Sequence, residues 1–151
     1  MLRQSKNTQK NTKTEIADYV TQATRNCLVF CHKPVEGLHF VDIGKGLSEA
    51  ILQEDLCLPE VSYAAEDALA KMLSCVETDA SVGNYLALNN IGILFEPDLG
   101  FNVRNLFDRE SIGKTLIICS PGTIRNNSFY FLSEKDGVAV DLSGIPFYIC
   151  D

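Results

Sequence analysis

YLALNNIGILF, residues 85–95, is the stretch whose reading decides the fold class. Its apolar residues run without the alternation of a half-exposed strand, and a polar pair, Asn89-Asn90, interrupts them. We read Tyr85–Leu88 as a strand buried on both faces, with the asparagines at its end. CLVFC (27–31) and TLIIC (115–119) have the same character, and LHFVDIG (38–44) follows the first of them after the loop HKPVEG. Between these runs lie segments with helical spacing or helical propensity. Ile16, Tyr19, Val20 and Ala23 form one, with Thr14 as its cap; Leu47 to Leu52 form another. A third runs from Ser62 to about Val76 and a short fourth from Asn102 to about Arg109. Buried strands alternating with helices predict an α/β fold, a predominantly parallel sheet with helices on both faces. After TLIIC and an SPG turn the pattern changes to SFYFL (128–132), VAVDL (138–142) and IPFYIC (145–150), with a turn at Lys135-Asp136-Gly137. These pieces predict a small C-terminal antiparallel addition.

A length of 151 residues predicts one α/β domain, residues 15–151, large enough to bury a core without metal or disulfide. Residues 1–14 have no apolar side chain after Leu2 and no acid, and are expected to be a disordered basic tail. Arg3, Lys6, Lys10 and Lys13 in that tail are four of the thirteen basic residues. The remaining nine face twenty acidic residues, which gives the body a balance of −11. Such a body repels phosphate backbones, so nucleic acid is not expected on it, although the tail could touch nucleic acid or an acidic partner. No apolar run approaches the roughly 20 residues that cross a bilayer, and the first residues lack the apolar core of a secretory leader. The expectation is a cytoplasmic chain with no membrane contact. Its six cysteines, Cys27, Cys31, Cys57, Cys75, Cys119 and Cys150, are then expected as reduced core residues.

The motifs that suggest chemistry are incomplete. Gly113-Lys114-Thr115 has the ending of a phosphate-binding loop, but Asp108 stands where the first glycine belongs and the segment enters a strand instead of a helix. Gly44-Lys45-Gly46 does lie between a strand and a helix, yet no Ser or Thr follows its lysine, and it reads as a glycine-rich turn. Cys27, Cys31 and His32 suggest zinc, but strand positions four apart lie about 13 Å from one another, too far for zinc–sulfur bonds of about 2.3 Å. A Cys31–His32 dyad has nothing further to support it, and no metal or cofactor is expected. Asp42, Asn89, Asn90 and Ser120 fall at or near predicted strand ends, where open α/β sheets place their ligands. If the strands are neighbours, these four side chains are the candidate ligand-binding group; the other reading makes them turn caps.

Residues 86–122, LALNNIGILFEPDLGFNVRNLFDRESIGKTLIICSPG, resemble the small P-loop ATPase-like component of BREX phage-defence systems. The matching pieces are Asn89-Asn90-Ile91-Gly92, Leu94-Phe95, Glu96-Pro97-Asp98-Leu99, Leu106-Phe107, Thr115-Leu116-Ile117 and Ser120-Pro121-Gly122, with Asp42 to Leu52 and Leu58-Pro59 upstream. The resemblance implies a P-loop-like sheet, but this chain departs from the family where the chemistry lies. CLVF runs into Cys31-His32-Lys33-Pro34-Val35-Glu36-Gly37 with no glycine-rich loop ending in Gly-Lys-Ser/Thr. Asn89 stands at the position of the metal-side Asp, and Gly92 at that of the Glu. Asn does not hold Mg²⁺ as a carboxylate does, and Gly has no side chain to orient water. Ser120 matches the polar sensor at the end of the last central strand, which alone does not restore hydrolysis.

The resulting expectation is a non-hydrolysing accessory or regulatory subunit of a bacterial phage-defence complex, acting through protein partners. One alternative is a small-molecule or nucleotide-binding enzyme with its site at the sheet edge, formed by Asp42, Asn89, Asn90 and Ser120. Another is an acidic protein that inhibits a DNA-binding partner.

Overall fold

The computed structural model describes residues 12–52, 58–131 and 139–150. Helix α1 (Thr12–Gln22) leads into β1 (Cys27–Cys31). Strand β2 (Phe40–Asp42) passes directly into α2 (Ile43–Leu52), and α3 (Leu58–Leu73) follows. A hairpin of β3 (Glu77–Asp79) and β4 (Gly83–Asn89) comes next, then two 3-10 turns, Ile91–Phe95 and Pro97–Leu99, and α4 (Val103–Glu110). The chain ends in β5 (Thr115–Cys119), β6 (Thr123–Arg125), β7 (Ser128–Tyr130), β8 (Ala139–Asp141) and β9 (Phe147–Cys150).

The central sheet has the order β2-β4-β5-β1-β9, and every neighbouring pair in that path is parallel. Strand β3 lies antiparallel along the first half of β4, on the edge whose second half holds β2. Strands β6, β7 and β8 form a separate antiparallel sheet. The predominantly parallel sheet and the small antiparallel addition are as the sequence pattern predicts. IPFYIC differs: its Phe147–Cys150 joins the parallel sheet beside β1 instead of the addition. The addition takes Thr123–Arg125 in its place, through a two-residue turn at Asn126-Asn127, both with positive φ. A two-residue hairpin loop needs that backbone hand, and Asn tolerates it.

Strand pleating sends alternate residues to opposite faces. Leu28, Phe30, Leu86, Leu88, Leu116 and Ile118 face a core closed by α2, α3, α4 and the small sheet. Val29, Cys31, Ala87, Ile117 and Cys119 face a second core closed by Ile16 of α1 and by Val35 and Leu38 of the β1–β2 connection. Helices therefore lie on both faces. Every residue of β1 and β5 is buried, which explains their unbroken apolar character. Phe30 joins the two sheets by stacking on Phe129 of β7 at 5.1 Å and meeting Phe107 of α4 edge-on at 5.8 Å.

Several boundaries move. Helix α1 starts at Thr12, two residues ahead of the expected cap Thr14, so Lys13 belongs to a helix and not to the tail. Its Nζ pairs with Asp79 at 2.7 Å, which ties α1 to the β3–β4 hairpin. Residues 1–11 of the expected tail, Cys57 and the Lys135-Asp136-Gly137 turn lie outside the described residues. Helix α2 starts at Ile43 because Asp42 caps it, which takes Gly44 and Gly46 into its first turn. Helix α3 starts at Leu58, ahead of the expected Ser62. Glu77–Asp79, which follows the expected end of that helix near Val76, is a strand. Among the described cysteines, Cys27, Cys31, Cys119 and Cys150 are buried and unbridged, whereas Cys75 is exposed, contrary to the core expectation. No described helix is long and apolar enough to cross a membrane.

Candidate functional site

The order β2-β4-β5 makes the strands carrying the four candidate residues neighbours, as the sheet-edge reading required. Their side chains nevertheless fall into separate groups. Asp42 and Asn90 are joined: Asn90 Nδ2 donates to Asp42 Oδ1 at 2.8 Å, and the Lys45 N–H donates to the same oxygen at 2.9 Å. The backbone repeats the link, with Gly44 N–H on Asn90 O at 2.9 Å. Asp42 is thus the N-cap of α2. The Lys45 N–H, then the Asn90 amide, hold its carboxyl below the usual range. Gly44 permits the approach, since a Cβ there would lie 2.3 Å from Asn90 Nδ2. Asn90 itself has φ 53°, a left-handed conformation that Asn tolerates better than most side chains.

Asn89 pairs in register with Asp42 and lies, by the alternation of β4, on the face of Tyr85 and Ala87. Its Oδ1 is buried and has no hydrogen-bond partner. Ser120 lies beyond β5 on the other side of the sheet, lining a cavity with Phe30 and Phe129. Its N–H continues the ladder to Cys31 O at 3.0 Å, while its Oγ is buried and unpartnered. The structure therefore brings Asp42 and Asn90 together, leaves Asn89 beside them with a free acceptor, and separates Ser120.

The motif-like segments resolve into structural roles. Lys114 Nζ pairs with Glu110 Oε1 at 3.0 Å, and Thr115 is buried in β5. Burial pushes the Glu110 carboxyl up, but the bonds from Lys114 and Arg109 outweigh it and hold the group below its usual range. The cation of Gly113-Lys114-Thr115 thus serves the end of α4. Gly46 lets α2 approach α3, because a Cβ there would meet Met72 Sδ at 2.4 Å. Cys27 and Cys31 occupy opposite ends of β1, and no cluster fit to hold a metal ion occurs among the described residues. Cys31 is the register partner of both Cys119 and Cys150. Its hydrogen bond with Cys150, then burial, push its thiol up; burial does the same to Cys119. Thiols held protonated in a core are poor nucleophiles. His32 Nε2 instead donates to Gly122 O at 3.2 Å.

Two groupings escaped the motif search. One is the cavity beside Ser120, of about 290 Å³, with His32 and Gly122 among its lining residues. Only the SPG turn after a buried strand hinted at it. The other lies at the opposite end of the sheet. Asn26 Nδ2 donates to Asp108 O and Asp108 Oδ1, each at 3.0 Å, and to Ser111 Oγ at 2.8 Å. Arg25 donates to Asn26 Oδ1 at 2.8 Å and pairs with Asp108 at 3.1 Å. Local spacing could not reveal a network whose members lie more than eighty positions apart in the chain. No protein-family profile, curated protein or solved structure matches this chain.

Proposed function

We propose that this chain is a P-loop-like α/β subunit that does not hydrolyse nucleotide and works through protein–protein contacts, as an accessory or regulatory component of a bacterial phage-defence assembly. The observation that carries the reading is the passage from β1 to β2. A phosphate cradle needs a strand end, a glycine-rich turn and the free N-terminus of a helix. Residues 32–39 contain no helix, and Val35 in their middle is buried against the sheet.

Two further features support it. Helix α2 does start at a strand end, but the Asp42 carboxylate already occupies its N-terminus, placing negative charge where a phosphate would need donors. Position 92, glutamate in the family that residues 86–122 resemble, is glycine here, and a Cβ on it would lie 2.9 Å from Phe131 Cζ. That packing leaves little room for a water-orienting carboxylate. With Asn89 in place of the metal-side Asp, positioning and charge neutralisation are both weakened, and phosphoryl transfer depends on them.

The test is affinity purification of the tagged full-length chain from its native host, with and without Mg-ATP. The expected result is stoichiometric recovery of other subunits of a defence assembly, unchanged by nucleotide. Recovery of the chain alone, or of a purified chain that turns over ATP, would contradict the reading.

A further inference from the structure

Strand β8 is the last strand of the small sheet, and among the described residues it pairs with β7 alone. The phase of that pairing fixes which backbone groups are left over. Leu142 N–H donates to Asn127 O at 2.7 Å, so these opposed residues form a hydrogen-bonded pair. In an antiparallel ladder such pairs recur at every second residue. Val140 therefore turns its N–H and C=O toward Phe129, whereas Ala139, Asp141 and Ser143 turn theirs away from β7. Both groups of Ser143 are bonded: its C=O accepts from Arg104 of α4 at 2.6 Å, and its N–H donates to Asp141 Oδ1 at 2.9 Å. Ala139 and Asp141 are exposed residues, and with Val140 they line a cavity of about 480 Å³.

A row of outward N–H and C=O groups is a template for another strand. The rest of the cavity suits one. Leu94, Phe95 and Phe101 supply apolar surface, on which alternate side chains of an added strand can rest. Among the described lining residues the charged ones are Glu96, Arg104 and Asp141. Arg104 lies near Asp141 and offsets it, which leaves the exposed carboxylate of Glu96. The body around the groove has a balance of −11. A cation on the added strand thus finds a counter-charge there, and an anion is repelled.

We propose that this groove takes an extended segment of a partner protein, in which apolar residues alternate with Lys or Arg, as a fourth strand beside β8. The proposal rests on the protein-contact reading above and names the surface and the chemistry of the segment it takes. Isotope-labelled full-length protein is titrated with a five-residue capped peptide of alternating valine and lysine, following the amide signals of Ala139 and Asp141. The peptide should saturate with a dissociation constant in the millimolar range or below. Its valine–glutamate counterpart should bind about tenfold more weakly, and the lysine peptide methylated at every backbone nitrogen should not bind. Ala139→Pro deletes an N–H that points away from β7, a change edge strands tolerate, and should weaken the lysine peptide at least about tenfold. Glu96→Lys, at an exposed position, should reverse the preference between the two peptides and serves should the proline variant not fold. No saturation up to about 10 mM would overturn the proposal, as would equal binding by the methylated peptide or by a folded Ala139→Pro.

The same variants used as baits in the affinity purification separate this proposal from the reading beneath it. Loss of the co-purifying subunits from both variants but not from the parent is the expected result. Equal recovery by parent and variants would overturn the groove as the contact and leave the reading standing. A parent that recovers nothing, beside a saturable lysine peptide, would contradict the reading and support the groove as a strand-binding surface.

Discussion

The two ends of the central strands handle buried polar groups in opposite ways. Where β1 begins, Asn26 and Ser111 are fully buried, and Asn26, Ser111, Asp108 and Arg25 satisfy one another across the start of the strand and the end of α4. Where β4 and β5 end, Asn89 Oδ1 and Ser120 Oγ are buried without partners. A closed network fixes geometry, since each group it holds would cost free energy if released. Orphaned groups stabilise nothing by themselves. The first end therefore carries stability, and the second gives some of it up.

Substitutions at the two ends should separate them. The largest effect is expected from Asn26→Leu, which removes three donated bonds and leaves the buried Ser111 Oγ only its bond to Asp108 O: about 2–3 kcal/mol of unfolding free energy by chemical denaturation. A change near zero would dissolve the contrast. Gly44→Ala should cost about 1–2 kcal/mol by driving the Asn90 amide off Asp42.

Asp42→Ala should cost about 1 kcal/mol through loss of the α2 cap. Its dependence on pH follows from the lowered carboxyl of Asp42. A group whose pKa is lower folded than unfolded stabilises above its unfolded value, near pH 4, and that contribution fades as pH falls through its folded value. The difference between parent and Asp42→Ala should thus be full at neutral pH and shrink in acid, as measured by denaturation at several pH values. A difference that grew in acid would contradict the cap assignment.

Ser120→Ala closes the series, with no loss and an expected gain of about 1 kcal/mol, since it removes a buried hydroxyl that has no partner. A cost comparable to that of Asn26→Leu would mean that the two ends are alike.

What was legible in the sequence follows the same division. TLIIC and CLVFC read as buried strands because burial on both faces demands unbroken apolar character, and both are strands over those residues. Asn102 caps a short helix through Oδ1 on the Asn105 N–H, a local bond between a strong capping residue and its third neighbour. IPFYIC was misplaced because periodicity gives a strand but not its partner, and pairing with β1 spans most of the chain. The β6–β7 hairpin carried its own mark in Asn126-Asn127. The candidate residues do lie on neighbouring strands, a condition the sequence left open, but the side of the sheet that each faces depends on where a strand stops alternating. Asp42 was therefore indistinguishable in sequence from a ligand-binding carboxylate, and in the structure it caps a helix.

The central claim is that the edge where nucleotide chemistry would sit has no phosphate cradle, because β1 passes to β2 without a helix. Calorimetric titration of the full-length chain with Mg-ATP, at protein concentrations that detect micromolar affinity, addresses it most directly. The account predicts a flat titration, whereas a saturable signal at one site per chain would contradict it.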